Sequence, residues 1–180
     1  MTKAAEIYAC LYAKEFPAQA LLRLRPELQN KVCVVMEGKL PLQTVCSLNT
    51  KARLLGIERG MTQVEVETFP EVEILTRSQQ TETAAKAILL ECAGAFSPRI
   101  EDRSEDASLL CGIDIAGTRG LFGAPEILAR SLLQRIRSLG FSARIAISSN
   151  FHTAICMARG QTQGGPIQVI LLGTDRKSVV

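Results

Sequence analysis

The stretch of residues 96–117 contains clustered acidic side chains between two apolar runs. The acidic residues are Glu101, Asp102, Glu105, Asp106 and Asp114. Clustered carboxylates beside short strands suit a divalent metal site that handles phosphates, because hard cations prefer oxygen ligands. A hairpin loop whose acids are simply solvated gives the same pattern, since acidic turns between strands are common. The spacing alone leaves both interpretations open.

The apolar runs around this stretch predict alternating strands and helices. Besides a hairpin at 100–115, strands are predicted at 6–13, 31–36, 42–48, 72–75, 142–147 and 167–171. Helices are predicted at 16–28, 52–55, 61–66, 78–95, 125–139 and 150–159, with a glycine-punctuated loop at 117–123. This order favours an α+β fold, in which helices pack on a ferredoxin-like sheet and a small helical lobe is inserted near 49–70.

Local signals assign structural roles to four single residues. Asn49 is a predicted N-cap, and Gly56 is predicted to end the helix that follows it. Asp114 precedes Ala-Gly and is predicted to cap the next loop. His152 stands alone on a predicted helix, which favours a structural role.

The composition excludes several classes of protein. The chain has 180 residues, 47% hydrophobic and 22% charged, as in globular domains. No apolar run approaches the ~20 residues of a membrane span, and the N-terminus lacks signal-peptide features, so we expect a cytoplasmic protein without membrane contact. Six scattered cysteines without a CxxC pair indicate reduced core thiols, and the single histidine argues against zinc.

The charge balance bears on the partners. A net charge of +3 permits a nucleic-acid partner without requiring one. The aromatic content is 4% and Trp is absent, which argues against a platform that stacks the bases of single strands.

Four segments of the chain carry motifs. They are 16–19 followed by 25–28; Asn49, Ala52, Arg53, Gly56, Ile57, Gly60 and Met61; 97–101, which reads SPRIE; and 146–150 followed by Ala154. In this order they resemble the first palm helix, the fingers motif, the approach to the second catalytic motif and the late palm motif of the Y-family (UmuC/DinB-type) translesion DNA polymerases. The resemblance covers about residues 5–160.

The resemblance implies a palm with an inserted fingers lobe. It assigns 5–48 and 71–172 to a palm-like (UmuC-type) domain and 49–70 to a fingers-like insertion. In active members, two Asp side chains of the first strand and an Asp–Glu pair of the acidic loop hold two magnesium ions. These ions activate the primer 3′ oxygen and stabilise the leaving pyrophosphate.

The metal-binding positions depart from the family pattern. Tyr12 and Lys14 stand where the family has its two strand Asp residues, and a lysine repels magnesium. In the loop, Asp106 falls on the Asp of the pair but Ala107 falls on the Glu. Three of the four metal carboxylates are therefore missing. We expect Asp106 to be a relict ligand or a solvated loop acid, and we expect no cofactor.

The nucleotide-binding positions depart in part. Thr50 replaces a Tyr that stacks near the sugar and the triphosphate, whereas Arg53 keeps an arginine that contacts the phosphates. Phe151 and Ile155 stand where the family has lysines that face the triphosphate. Arg53 is therefore a candidate phosphate contact, and an arginine on a helix surface is the alternative.

This pattern of loss, together with the sequence of 100–123, resembles the ImuB branch of the family. Those proteins keep the scaffold, lose polymerase activity and act as adapters. They bring an ImuA-type protein and an error-prone polymerase to the sliding clamp during damage-induced mutagenesis. The resemblance implies a non-catalytic adapter in DNA repair and translesion synthesis, with damaged DNA as a weakly bound partner.

Two other functions stay open at the level of sequence. The chain could be an active error-prone DNA polymerase that holds Mg²⁺ with displaced acids such as Glu6, Glu101 or Glu105. It could also be an unrelated ferredoxin-like binding module, in which case the helical lobe at 49–70 would be absent.

The last residues, 175–180, read DRKSVV, a string that a widely used sequencing adapter would encode in frame. We hypothesise that the gene is cut short and that this tail is not native. The thumb, the C-terminal DNA-gripping domain and any clamp-binding peptide would then be missing. DNA affinity would be weak, because phosphate contacts dominate such binding.

Overall fold

The fold is that of a computed structural model, which describes residues 6–160 and 165–171. The predicted tail at 175–180 and the outermost residues of the predicted palm-like range, 5 and 172, lie outside the described residues. The strands are β1 (Tyr8–Ala13), β2 (Val32–Glu37), β3 (Thr44–Leu48), β4 (Val72–Thr76), β5 (Ile100–Asp102), β6 (Leu109–Asp114), β7 (Arg144–Ser148) and β8 (Ile167–Ile170). The helices are α1 (Phe16–Leu22), α2 (Thr50–Leu54), α3 (Gln63–Val66), α4 (Gln79–Gly94), α5 (Arg119–Phe122), α6 (Pro125–Ser138) and α7 (Phe151–Arg159).

These elements confirm the predicted α+β class, with two local corrections. The helix predicted at 16–28 ends at Leu22, and a separate 3-10 turn follows at Pro26–Leu28. Pro26 disfavours helical backbone at Arg25, the residue before it, so the helix does not continue into the 3-10 turn. The predicted loop at 117–123 contains α5, whose Phe122 packs on Phe96 with ring centroids 5.0 Å apart. Among the described residues, no helix is both long and apolar enough to cross a membrane.

The strands form two separate sheets rather than the one that was predicted. The first has five strands in the order β5-β6-β1-β7-β8, and the second has three in the order β3-β2-β4. The apolar pattern locates a strand but does not say which neighbour it pairs with, so β2, β3 and β4 were expected in the main sheet. Their register instead pairs β2 antiparallel with β3 and parallel with β4.

The five-stranded sheet is built around β1, which is antiparallel to both β6 and β7. Successive side chains of a strand point to opposite faces. On one face α7 covers an apolar cluster that includes Cys10, Leu110 and Ala154. Helix α6 contacts β7 and β8 and buries a stripe of its own side chains. That stripe consists of Leu128, Ala129, Leu132, Leu133 and Ile136. The amphipathic period of three to four residues produces such a stripe.

The three-stranded sheet has a core on each of its faces. Cys33 and Val35 of β2 pack into a cluster with residues of α1 and the 3-10 turn. Val34 and Met36 face the other way and pack into a cluster with residues of α2 and α3. A strand buried on both faces reads as a continuous apolar run, which is the pattern VCVVM of β2.

The predicted division into a palm-like domain and a fingers-like insertion at 49–70 stays a prediction, and the chain clusters into two compact units. The five-stranded unit comprises Met1–Ala13, Ile88–Glu105 and Leu109–Val180. The three-stranded unit comprises Lys14–Ala87 and Asp106–Ser108. The helical lobe at 49–70 is present, but it shares its core with β2 and β3 and so belongs to the larger three-stranded unit.

Candidate functional site

The acidic residues of the stretch 96–117 that belong to the five-stranded unit are exposed or, at Asp114, half-buried, and each has a bonding partner. Glu101 pairs with Arg103 at 2.6 Å, and Glu105 pairs with Arg159 at 3.0 Å. The side chain of Asp102 accepts the backbone N–H of Ser104 at 2.9 Å. We call Glu101, Asp102, Glu105 and Asp114 the surface acids. Their partners hold them apart rather than pointing them at one ion.

Asp114 caps the loop that follows it, as its position in the sequence predicted. Its side chain accepts the backbone N–H of Ala116 at 2.9 Å and pairs with Arg99 at 3.2 Å. The Arg99 guanidinium also donates to the Ala116 carbonyl at 3.1 Å. These bonds give Asp114 a structural function at the end of β6.

Asp106 and Ala107 form the turn at the tip of the hairpin, within the three-stranded unit. Asp106 is exposed and has a positive φ of 44°, a conformation that Asp tolerates better than most residues. The Arg77 guanidinium donates to its carbonyl at 3.2 Å. Ala107 is buried, and its carbonyl accepts the N–H of Phe16 at 2.8 Å. The position predicted to replace a metal-binding Glu is therefore an apolar contact.

Metal-ligating side chains do not converge anywhere in the part of the chain that the structure describes. Within residues 6–160 and 165–171, no three His, Cys, Asp or Glu side chains lie close enough together to hold a metal ion. The expectation that Asp106 is a relict ligand remains a prediction, and so does the absence of a bound cofactor.

Tyr12, predicted to replace a metal-binding Asp, lies near the end of β1. It is opposite Leu110 on one side and Arg144 on the other. Its half-buried side chain packs on the apolar cluster under α7, together with that of Ile155. Lys14 follows the strand and is exposed. Tyr12 therefore contributes ring packing at the position that the resemblance assigns to a metal-binding Asp.

Phe151, predicted to replace a lysine, is part of a packed cluster at the start of α7. Its ring lies edge-on to Tyr8 with centroids 5.4 Å apart, and the guanidinium of Arg103 lies 5.8 Å from its centroid. Gly112 makes room for the ring, because a Cβ at that position would lie 2.4 Å from a ring carbon. His152 is exposed and contacts the same ring at 5.8 Å. These contacts make the start of α7 a packing site.

A cavity of about 350 Å³ lies beside this ring in the five-stranded unit. Its polar lining is Arg99, Glu101 and Asp114, and its apolar lining includes Tyr8 and Phe151. All three charged groups take part in the ion pairs described above.

Arg53, the predicted phosphate contact, is bonded to a buried carboxylate of the three-stranded unit. The carboxylate is that of Glu15, whose side chain is 11% exposed and which also pairs with Arg59 at 2.8 Å. Ser47 Oγ donates to it at 2.9 Å and the backbone N–H of Leu48 at 3.1 Å. We call these five residues the Glu15 cluster.

The Glu15 cluster was not predicted from the sequence. The signal that points to Glu15 is a single acid between an apolar strand and the Phe-Pro pair that begins α1. Its backbone has φ 54° and ψ 43°, the left-handed conformation that L residues rarely adopt. The residue is held there by the bonds to its carboxylate.

The cysteines are free, and five of the six are buried, as the sequence predicted. Burial raises the pKa of the Cys10 and Cys111 thiols to about 12 and that of Cys46 to about 11. A thiol becomes a nucleophile by losing its proton, so these three are inert in the folded chain at neutral pH.

Comparison with known proteins identifies the fold. Residues 11–159 match the model of the impB/mucB/samB family. The structure is similar to that of Dbh DNA polymerase in an insertion ternary complex, with 21% identity, a TM-score of 0.77, and coverage of 91% of this chain and 48% of that one. It is equally similar to DinB from Sulfolobus solfataricus, with 21% identity, a TM-score of 0.77, and coverage of 92% and 48%. No curated protein matches the sequence.

These similarities confirm that the fold is that of the Y-family DNA polymerases, as the sequence motifs predicted. They also exclude an unrelated ferredoxin-like module with motifs that match by chance. The chain spans about half the length of the solved structures that it resembles, 48% in each case. At 21% identity the similarity to those structures shows the fold and nothing about activity.

Proposed function

This chain belongs to the impB/mucB/samB family, and from that premise we propose that it is a non-catalytic member that serves as an adapter in DNA damage tolerance. Its biological setting in this proposal is the SOS type of damage-induced mutagenesis, in which it acts in the manner of ImuB-like proteins. The match to the family model and the Y-family fold support translesion DNA synthesis as the general process.

The observation that carries the proposal is the packing of Tyr12. Two-metal catalysis requires carboxylates that hold both ions between the attacking and the leaving oxygen. The half-buried side chain of Tyr12 packs on the apolar cluster under α7, and the buried methyl of Ala107 takes the second acidic position that the resemblance assigns to the loop. The absence of carboxylates at these two positions supports a chain without polymerase activity.

The state of Arg53 supports the same conclusion. A residue that is to contact a triphosphate must offer its guanidinium to the incoming phosphates. In this chain that guanidinium is bonded to Glu15, which is an anion of the chain itself. This pairing of Arg53 with an anion of the same chain supports a non-catalytic function.

The partners belong to the proposal as well. We propose that the protein contacts damaged DNA weakly, and that the whole protein links an ImuA-type protein and an error-prone polymerase to the sliding clamp. Dbh DNA polymerase has been solved in an insertion ternary complex, which supports the choice of DNA as the first partner to test.

Primer extension by the longest protein that the gene encodes tests the proposal. We expect no nucleotide incorporation with Mg²⁺ or Mn²⁺ under conditions in which Dbh extends the same primer. Incorporation that Asp106→Ala abolishes would refute the adapter function. It would favour the active polymerase that uses displaced acids such as Glu6, Glu101 or Glu105.

A binding experiment tests the adapter separately from catalysis. We expect the longest gene product to be retained by an immobilised sliding clamp, and the Asp106→Ala variant to be retained equally well. Retention that depends on Asp106 would argue against a relict residue and against the proposal.

A further inference from the structure

The Glu15 cluster has the composition of an oxyanion-binding site that is filled by a carboxylate of the same chain. Two guanidinium groups, one hydroxyl and one backbone N–H converge on this carboxylate. Guanidinium forks, hydroxyls and backbone N–H groups are also the donors with which proteins bind phosphate oxygens. The donor set therefore fits a phosphate as well as the carboxylate that it holds.

The charges of the cluster are unbalanced in favour of an added anion. Arg53 and Arg59 share one carboxylate, and within the described part of the chain no other acid lies within 4.0 Å of either guanidinium. Their side chains are 47% and 41% exposed, whereas that of Glu15 is 11% exposed. A solute can therefore reach the arginines from the solvent once the carboxylate is neutralised.

We propose that Glu15 is a built-in anion that closes a polyphosphate site formed by Arg53, Arg59, Ser47 and the Leu48 N–H. The proposal rests on the proposed non-catalytic function and deepens it. In a chain without a catalytic metal site, a side chain that occupies the phosphate site removes no activity. In return, the loop between β1 and α1 is fixed to β3 and α2 within the three-stranded unit.

The competing explanation is an ion cluster with a purely structural function. Both explanations predict that removal of Glu15 lowers the melting temperature. They differ in the binding of anions, because a structural cluster gains no affinity for phosphates when its acid is removed.

The experiment compares the 180-residue chain with its Glu15→Gln and Glu15→Ala variants. Binding of inorganic tripolyphosphate is measured by calorimetry, with sodium chloride added to keep the ionic strength constant. We expect both variants to bind at least about tenfold more tightly than the unmodified chain. At a ligand concentration of about ten times Kd, the melting temperature of each variant should rise by about 3 °C.

A matched control separates this site from a general change in net charge. Glu82 is 13% exposed and bonds Arg77, so Glu82→Gln removes a carboxylate of similar burial. Arg77 then still pairs with Glu37, and no polyphosphate site should open. A gain in affinity by Glu82→Gln equal to that of Glu15→Gln would overturn the proposal.

Two further outcomes would overturn it. One is tripolyphosphate binding by the unmodified chain as tight as that by the variants, and the other is a folded Glu15→Gln variant without a gain. If Glu15→Ala is unfolded, tripolyphosphate must restore its circular dichroism, and failure to do so counts against the site. None of these results depends on primer extension, so this inference and the proposed function can fail separately.

Discussion

The surface acids of the five-stranded unit and the Glu15 cluster of the three-stranded unit differ in what stabilises their carboxylates, which is water in the first and protein donors in the second. Glu101 and Arg103 have side chains that are 52% and 51% exposed, and Glu105 is 68% exposed. Water solvates these groups, so each pair contributes about 0–1 kcal/mol. The carboxylate of Glu15 is 11% exposed and depends on its protein donors instead.

This difference shows that a high density of acids in a sequence does not indicate which carboxylate is buried and held by the protein. The stretch with most carboxylates consists of separate surface pairs, and the decisive carboxylate is a single residue between two apolar segments. Burial decides the outcome, because a carboxylate removed from water needs a complete set of donors.

The largest effect on the free energy of unfolding should come from Glu15→Ala, which removes the buried carboxylate of the comparison. The change leaves the Leu48 N–H and the Ser47 hydroxyl without their acceptor and two guanidinium groups without a counter-charge. We expect the free energy of unfolding to fall by about 2–4 kcal/mol. Urea denaturation measures it, and a loss below about 0.5 kcal/mol would show that the cluster is dispensable.

Gly112→Ala should have the next largest effect and tests whether the start of α7 is a packing site. The new Cβ would lie 2.4 Å from the Phe151 ring, so the ring must move away from Tyr8. We expect a loss of about 1–3 kcal/mol by urea denaturation. In a Phe151→Ala background the same change should cost much less, and additive losses would contradict the proposed contact.

Alkaline pH should then separate the two units through their buried thiols. Folded Cys10 keeps its proton to a pKa of about 12, whereas the unfolded thiol loses it near 9. The unfolded chain binds fewer protons between these values, so stability falls as the pH rises from about 9 to 12. In Cys46 the corresponding window ends at about 11.

We expect Cys10→Ala and Cys46→Ala to reduce the alkaline loss of stability about equally up to about pH 11, and Cys10→Ala to reduce it further above that pH. Denaturation midpoints measured from pH 8 to about 12 give the slopes. Equal slopes in both variants and in the unmodified chain would show that the thiols do not titrate with unfolding.

Glu101→Gln should have the smallest effect on the free energy of unfolding, and it tests one of the surface acids. The variant loses a surface pair with Arg103, and we expect the free energy of unfolding to change by less than about 0.5 kcal/mol. Thermal melts at low and high salt provide the measurement. A loss similar to that of Glu15→Ala would mean that the surface acids act as a unit.

The sequence predicts most of the fold because the responsible signals are local. Asn49 accepts the N–H of Ala52 and caps α2 as expected, and Gly56 follows with a positive φ of 90°. The two-sheet arrangement is not local, since β2 pairs in parallel with β4 after a long connection. Periodicity within a strand contains no information about such a partner.

The candidate site was less predictable for the same reason. The acidic stretch was visible because its members are neighbours in the sequence. The donors of Glu15 lie far from it, with Ser47 separated by 32 residues and Arg59 by 44. They meet only when β1, β3 and the segment after α2 have folded, and Arg53 could therefore be named without its partner.

The fit of Phe151 against Gly112 limits which side chains position 151 can accept. At position 151 the resemblance predicts a lysine in the active relatives. A Phe151→Lys substitution would remove the ring that fills the space above Gly112. It would also bring a second positive charge next to Arg103. Lysine at position 151 would therefore weaken the packing at the start of α7 unless the residues at 112 and 103 changed with it.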